Sequence, residues 1–185
     1  VRTVIQNVNR SIDLQEVFEH AVQSMCENIE GVDMAAIYMV EGEEAVLKSH
    51  RGLTDPYVAR AGRIPYPKGF TWKTIIEGKP RFCADTDNDK FIGPAGRDEG
   101  IKSYLSMPII DKDTIVGCIN INSKHKNAFD EEELQLLEIV SQQIRVAIGN
   151  AKQAAELRES ETRHRTIVEQ TYDMTIECDA LGIKH

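Results

Sequence analysis

The clearest alternation of apolar and polar positions lies at residues 104–122, YLSMPIIDKDTIVGCININ, where two runs of branched and aliphatic residues flank Asp111, Lys112 and Asp113. Such runs around a tight polar turn predict two antiparallel strands, a central hairpin. Side chains alternate along a strand. Ile115, Gly117, Ile119 and Ile121 are therefore predicted to share one face, and Val116, Cys118, Asn120 and Asn122 the other. One face is oily and calls for helices. The mixed face either lines a small cavity or is met by solvent and loops.

Elsewhere the apolar period is helical. Val4, Ile5, Val8 and Ile12 predict a helix entering at the start of the chain, and Asp13 with Glu16 has the form of a capping box, predicting a restart there. Leu14, Val17, Phe18, Ala21, Val22, Met25 and Ile29 then fall at intervals of three and four, one stripe for the oily face, with Cys26 at its edge and His20 on the polar side. Gly31 ends this helix. Residues 33–40 and 45–51 predict a second hairpin, closed by Gly52 and Leu53. Pro56, Pro65 and Pro67 break the stretch 54–68 and leave room for one short helix around 57–61. A short helix at 69–76 and a short strand at 81–84 follow, and then a polar, glycine-rich loop over residues 85–100.

Phe129 and Asp130 open a long helix, with Glu131, Glu132 and Glu133 in its first turn where the macrodipole favours negative charge. Leu137, Val140, Ile144, Ala147, Ala151 and Ala154 alternate by threes and fours, the seam of a coiled coil, and predict a homodimer through residues 137–154. Leu134 and Ile148 complete a stripe toward the domain, so the first half of the helix is expected to pack on the sheet and the second half to project.

Composition narrows the function classes. With 185 residues, 41% hydrophobic and 28% charged, the chain has enough apolar material for one globular domain plus a remainder too short to be a second. A net charge of -8 argues against nucleic acid or an anionic membrane as the main partner. No apolar run reaches the eighteen or so residues that span a bilayer and no leader opens the chain, so a cytoplasmic piece of a longer protein is expected. Cys26, Cys83, Cys118 and Cys178 show no metal or redox spacing, as buried free thiols in a reducing compartment would. Asp85, Asp87 and Asp89 alternate as in a calcium loop. Lys90, however, stands where that loop needs glycine and Gly96 where it needs glutamate, so they are assigned to turns and helix caps. No Ser-His-Asp set, metal-spaced His cluster or phosphate-cradling glycine loop is present, and no catalytic residue, metal ligand or cofactor is assigned.

The element order resembles the GAF domain family of small-molecule sensory modules. The residues that carry the resemblance are Gly52-Leu53, the segments 102–109 and 115–121, and Phe129-Asp130 with the following Glu-rich turn. It runs from Asp13 to about residue 151. The ending, with residues 161–170 followed by Asp173, Ile176, Asp179 and Gly182, looks like the opening of a PAS domain. The resemblance implies an α+β fold with a six-stranded antiparallel sheet, terminal helices on one face and a ligand pocket on the other. It divides the chain into an incoming helix at 1–12, a GAF domain at 13–151, a linker helix at 152–165 and a PAS start at 166–185. Several family signatures are missing. There is no Cys-His pair for a bilin, Asp98, Glu99 and Gly100 stand where haem-binding members have a His, and the spacing of Asn122, Lys124, Phe129, Asp130 and Glu131 departs from the cyclic-nucleotide signature. Arg81, Asp85, Arg97, Asp98 and Cys118 are the residue types of the iron-binding, nitric-oxide-sensing members.

The implied role is a non-catalytic sensory module that relays a ligand or partner signal through the long helix to a downstream PAS or kinase domain. A ligand-free dimerising spacer is the alternative. The family also contains free methionine sulfoxide reductases, but Thr71 and residues 96–98 stand where their cysteines are expected. Expected pocket residues are Phe70, Trp72, Phe82, Asp85, Tyr104, Ser106, Cys118 and Asn120, around an unknown small molecule. Core filling is the competing role for Trp72, Phe82 and Tyr104.

Overall fold

The structure, a computed structural model, describes the backbone of residues 2–180 and the side chains of residues 14–166. It divides into a compact unit of residues 1–148 and a second unit of residues 149–185. The elements are α1 (Arg2–Asn28), β1 (Met34–Glu41), β2 (Glu44–Arg51), α2 (Asp55–Ala61), β3 (Arg63–Pro65), α3 (Gly69–Glu77), β4 (Arg81–Cys83), α4 (Pro94–Asp98), β5 (Ser103–Asp111), β6 (Thr114–Ser123) and α5 (Glu131–Ala180). One six-stranded sheet in the order β3-β2-β1-β6-β5-β4 is antiparallel throughout, with the predicted hairpin β5-β6 inside it and β1-β6 as its middle pair. No described helix is long and apolar enough to cross a membrane.

The oily face buries Ala35, Ile37, Leu105, Met107, Ile109, Ile119 and Ile121 against Phe18, Val22 and Met25 of α1 and Leu137, Ile144 and Ile148 of α5. Each of the larger side chains contributes about 1.5–3 kcal/mol by leaving water. The helix that enters the domain and the helix that leaves it therefore share one core. The opposite face is covered by α2, α3, α4 and the loops between them, through Tyr57, Phe70, Trp72, Ile75, Ile92 and Ile101.

Several expectations are corrected. The helix α1 passes through Asp13 without a restart, because the backbone there stays helical and offers no extended cap position. The capping box forms instead at α5, where Asp130 Oδ1 accepts from Glu132 N at 2.7 Å and Glu133 Oε2 accepts from Asp130 N at 2.7 Å. The sixth strand, β3, lies inside the proline-broken stretch, and Pro65 is tolerated because β3 is an edge with only β2 as neighbour. Ile115 and Val116 exchange faces: Ile115 packs with the mixed-face core and Val116 with the oily one. Ile109 pairs with Gly117 but Ile110 pairs with Ile115, which leaves Val116 as an extra residue in a bulge and inverts the alternation beyond it.

The coiled-coil seam is corrected in part. Leu137 and Ile144 have no exposed surface, because the apolar stripe that faces the sheet uses the same turns as the seam. The apolar residues that α5 turns outward in this unit are Leu136, Ile139 and Val146, the last two more than half exposed. The second unit continues α5 as helix to Ala180. The side chains from Ile167 onward, which hold most of the PAS-like opening and Cys178, lie outside the described residues, as do those of residues 1–13, which include the incoming helix at 1–12.

Candidate functional site

Two glycines let the mixed face close tightly. A side chain at Gly52, whose φ is +80°, would stand 2.1 Å from the Asp33 carbonyl oxygen, and one at Gly117 would stand 2.2 Å from that of Tyr38. The first lets the chain leave β2 into α2; the second lets β1 and β6 meet beside Cys118.

Above β6, α3 lays its inner residues along the strand. Asn120 is the hub of a buried network: its Oδ1 accepts from Ser106 Oγ at 2.6 Å and from Cys118 Sγ at 3.6 Å, and its Nδ2 donates to Thr71 Oγ1 at 3.0 Å. Phe70 stacks on Tyr104 with ring centres 4.0 Å apart and 17° between planes, and the Tyr104 hydroxyl donates to Asp89 Oδ2 at 2.9 Å. Burial, then the Asp89 carboxylate, pushes the Tyr104 phenol far up. At the far side Tyr38 donates to the Ala61 carbonyl at 3.0 Å, which ties α2 to the sheet. Two buried oxygens on this side, Thr74 Oγ1 and Asn122 Oδ1, have no partner.

Five of the eight expected pocket residues thus meet: Phe70, Tyr104, Ser106, Cys118 and Asn120. They do so as packed, hydrogen-bonded interior. Trp72 is buried but turned toward β3, where its Nε1 donates to the Ile64 carbonyl at 2.7 Å and Tyr66 meets it edge-on. Phe82 is 51% exposed and belongs to the other face, beside Pro80, Leu105 and Leu134. Its strand partner is Leu105, whereas Arg81 pairs with Ser106 and Cys83 with Tyr104, so strand pairing brings Arg81 and Cys83 to the mixed side. Matching the parity of 81 and 83 to that of 104 and 106 would have found them. Thr71, one residue from Phe70, joins the site because Asn120 on the mixed face of β6 needs a polar partner above it.

Asp85 stands at the loop root as expected, but exposed. It caps a turn by accepting from Asp87 N at 2.9 Å and pairs with Lys126 at 2.8 Å, while Asp87 pairs with Lys126 and, at 3.1 Å, with Lys102. The Lys126 ammonium holds both carboxyls below their ordinary values, and they hold its own value up. This ion cluster fastens the loop to the connection that leads into α5. Asn127 N donates to the Ala84 carbonyl at 2.8 Å in the same place.

The thiols offer little nucleophilic chemistry. Complete burial pushes Cys118 up to about 12, and burial also raises Cys83 and Cys26, with Asp89 adding to the effect at Cys83. A thiolate is the reactive form, so these cysteines are protonated near neutrality.

The antiparallel sheet with both terminal helices on one side and a covered polar face on the other is shared with known proteins. The family model described as GAF domain matches residues 11–149. The chain belongs to the GAF domain family. A sensor histidine kinase of Bacillus subtilis (strain 168), YhcY, is 24% identical over 177 residues, covering 92% of this chain and 45% of the kinase. The chain thus spans less than half of that relative's length. That aligned stretch is longer than the GAF match itself, so the kinase shares sequence beyond the domain. The solved GAF domain of a phosphoenolpyruvate-protein phosphotransferase from Coxiella burnetii superposes with a TM-score of 0.68 at 21% identity, covering 84% of this chain and 94% of that one. The free methionine-R-sulfoxide reductase of Neisseria meningitidis, solved with its substrate, superposes with a TM-score of 0.68 at 18% identity, covering 76% and 81%. At these identities the two structures speak for the GAF fold alone.

Proposed function

We propose that this GAF domain is a regulatory relay in a cytoplasmic, multidomain signal-transduction protein, non-catalytic itself. It couples what enters along α1, or binds at the mixed face, to the position of α5, and α5 passes the change to a downstream PAS or kinase domain. The observation that carries the reading is the single oily core shared by α1, the sheet and the start of α5. A change in α1 or in the sheet cannot be absorbed there without moving α5, because packed cores switch between arrangements rather than deform continuously. The similarity to a sensor histidine kinase supports the signalling context. The raised thiol values support a regulatory role over a methionine sulfoxide reductase.

The dimer belongs to the same proposal, through the outward residues Leu136, Ile139 and Val146 with the neighbouring groove of 570 Å³ between α1 and α5, lined by Val17, Ala21 and Val140. Ile139→Glu is expected to convert a dimer to a monomer in light scattering and to leave an unfolding midpoint that no longer depends on protein concentration.

The packed interior around Asn120 favours small shifts of the existing side chains over a standing ligand cavity, the arrangement a ligand-free spacer would also have. The unpartnered Thr74 and Asn122 oxygens favour a ligand or water on that side. Hydrogen exchange tests the relay. Val22→Ala in α1 is expected to lower amide protection in residues 131–148 as well as in α1. Loosening confined to α1 would sink the proposal.

A further inference from the structure

In an acidic protein, positive charge gathers at one place on the rim of the mixed face. Arg81 Cζ lies 4.6 Å from the centre of the Phe91 ring, and the ammonium groups of Lys73 and Lys90 each lie 5.5 Å from it. A ring face attracts one cation; three around one ring repel each other. The carboxylates nearby do not balance them. Glu77 is shared between Lys73 at 3.0 Å and Arg81 at 2.7 Å. Asp89 is occupied by the Tyr104 hydroxyl and, at 3.2 Å, by the Phe91 amide. Lys90 has no carboxylate partner among the described residues.

The second observation is the Arg81 Nε–H. It is shut away from solvent and has no acceptor. A guanidinium donor without an acceptor is costly, and Phe91, whose ring lies against that guanidinium, can accept only weakly.

We propose that Arg81, Lys73 and Lys90 form a binding site for a small oxyanion group, phosphate or carboxylate, on a diffusible ligand, with Phe91 as its lid. The oxyanion displaces the Phe91 ring, accepts from Arg81 Nε–H and sits between the two ammonium groups. An oxyanion there supplies both what the guanidinium lacks and the charge that the three cations are short of. Displacing Phe91 also has somewhere to go in the fold. Asp89 holds the Tyr104 hydroxyl on β5 and Ile92 is buried in the mixed-face core, so the residues on either side of Phe91 connect the loop to the sheet. The inference takes its purpose from the relay reading above, but its binding step stands without it.

The probe is sodium phosphate, with sodium acetate as the second arm, titrated at constant ionic strength while the Arg81 Nε–H and Phe91 amide resonances are followed by NMR. Saturable shifts at both groups are expected, stronger with phosphate if the ligand bears a phosphate and with acetate if it bears a carboxylate. Lys90→Gln, at the surface, is expected to weaken binding about tenfold, the loss of one charge-assisted contact. Phe91→Ala is expected to tighten binding by removing the lid. Shifts that rise linearly without saturating for both probes, or an unchanged affinity in Lys90→Gln, would overturn the site and leave the cations as simple partners of Phe91. If Phe91→Ala does not fold, Lys90→Gln decides alone. Saturable binding with no change in α5 hydrogen exchange would remove the relay and keep the site.

Discussion

The helix side of the sheet is closed mainly by apolar side chains, with a few polar groups among them: Ser141 donates to the Pro108 carbonyl at 3.0 Å and Gln15 Nε2 to the Lys48 carbonyl at 3.0 Å. The opposite side holds Tyr38, Tyr104, Cys118, Ser106, Asn120 and Thr71, joined by directed hydrogen bonds. Apolar contact has no preferred direction, so α1 and α5 can exchange one packed arrangement for another and stay buried. A hydrogen-bonded hub fixes each partner's place, and any partner it loses is left buried and unpaired. The oily side is suited to transmit a movement and the mixed side to define a position.

That contrast is sharpest under substitution. Leu137→Ala, at a site with no exposed surface in the oily core, is expected to cost about 3 kcal/mol through lost burial and a residual cavity, read as a lower urea midpoint at unchanged slope. Asn120→Ala is expected to cost less, about 2 kcal/mol, by stranding Ser106, Thr71 and Cys118, and to loosen α3 more than α5 in hydrogen exchange. A larger loss for Asn120→Ala than for Leu137→Ala would reverse the ranking of the two faces. Chemical reactivity separates the faces again. With its thiol pushed up to about 12, Cys118 is expected to resist iodoacetamide at about pH 8 in the folded protein, whereas half-buried Cys83 labels before it, as read by mass spectrometry of peptides.

The smallest effect concerns the ion cluster that joins the loop to α5. Asp85 and Asp87 are held below their ordinary values, so their share of stability is present above about pH 4, where unfolded carboxylates ionise, and is lost as pH falls through the lowered folded values. Lys126 is held above its ordinary value, so its share is present below about pH 10 and lost as pH rises through the higher folded value. Lys126→Gln should flatten the acid limb of the unfolding midpoint against pH. All three groups are exposed, so the change is expected to be slight at moderate salt. An unchanged acid limb would remove the cluster from the stability account.

What the chain spells out depends on how local the determinant is. The β5-β6 hairpin, the stripe of α1 and the acidic start of α5 are written within single elements, and each formed. The strand Arg63–Pro65 is three residues long with a proline in it, and it exists because β2 offers it an edge. The exchange of Ile115 and Val116 follows from a bulge, which no periodicity announces. Phe82 misled because an aromatic residue near a loop suggests a wall, while its face is set by its partner Leu105. Leu137 and Ile144 face the sheet as expected for the first half of the helix, and their spacing alone does not say so, since a heptad and a sheet-facing stripe look alike over two turns. Arg81, Phe91, Lys73 and Lys90 come from three separate elements, so only the folded chain puts them together.

No buried residue of the oily core comes from the stretch between Ile37 and Leu105, while nearly everything that covers the mixed face comes from within it. The two cores are therefore written in different parts of the chain. Substitutions between about residues 53 and 101 can rebuild the covering of the mixed face as one contiguous cassette, while the core shared by α1 and α5 keeps its residues.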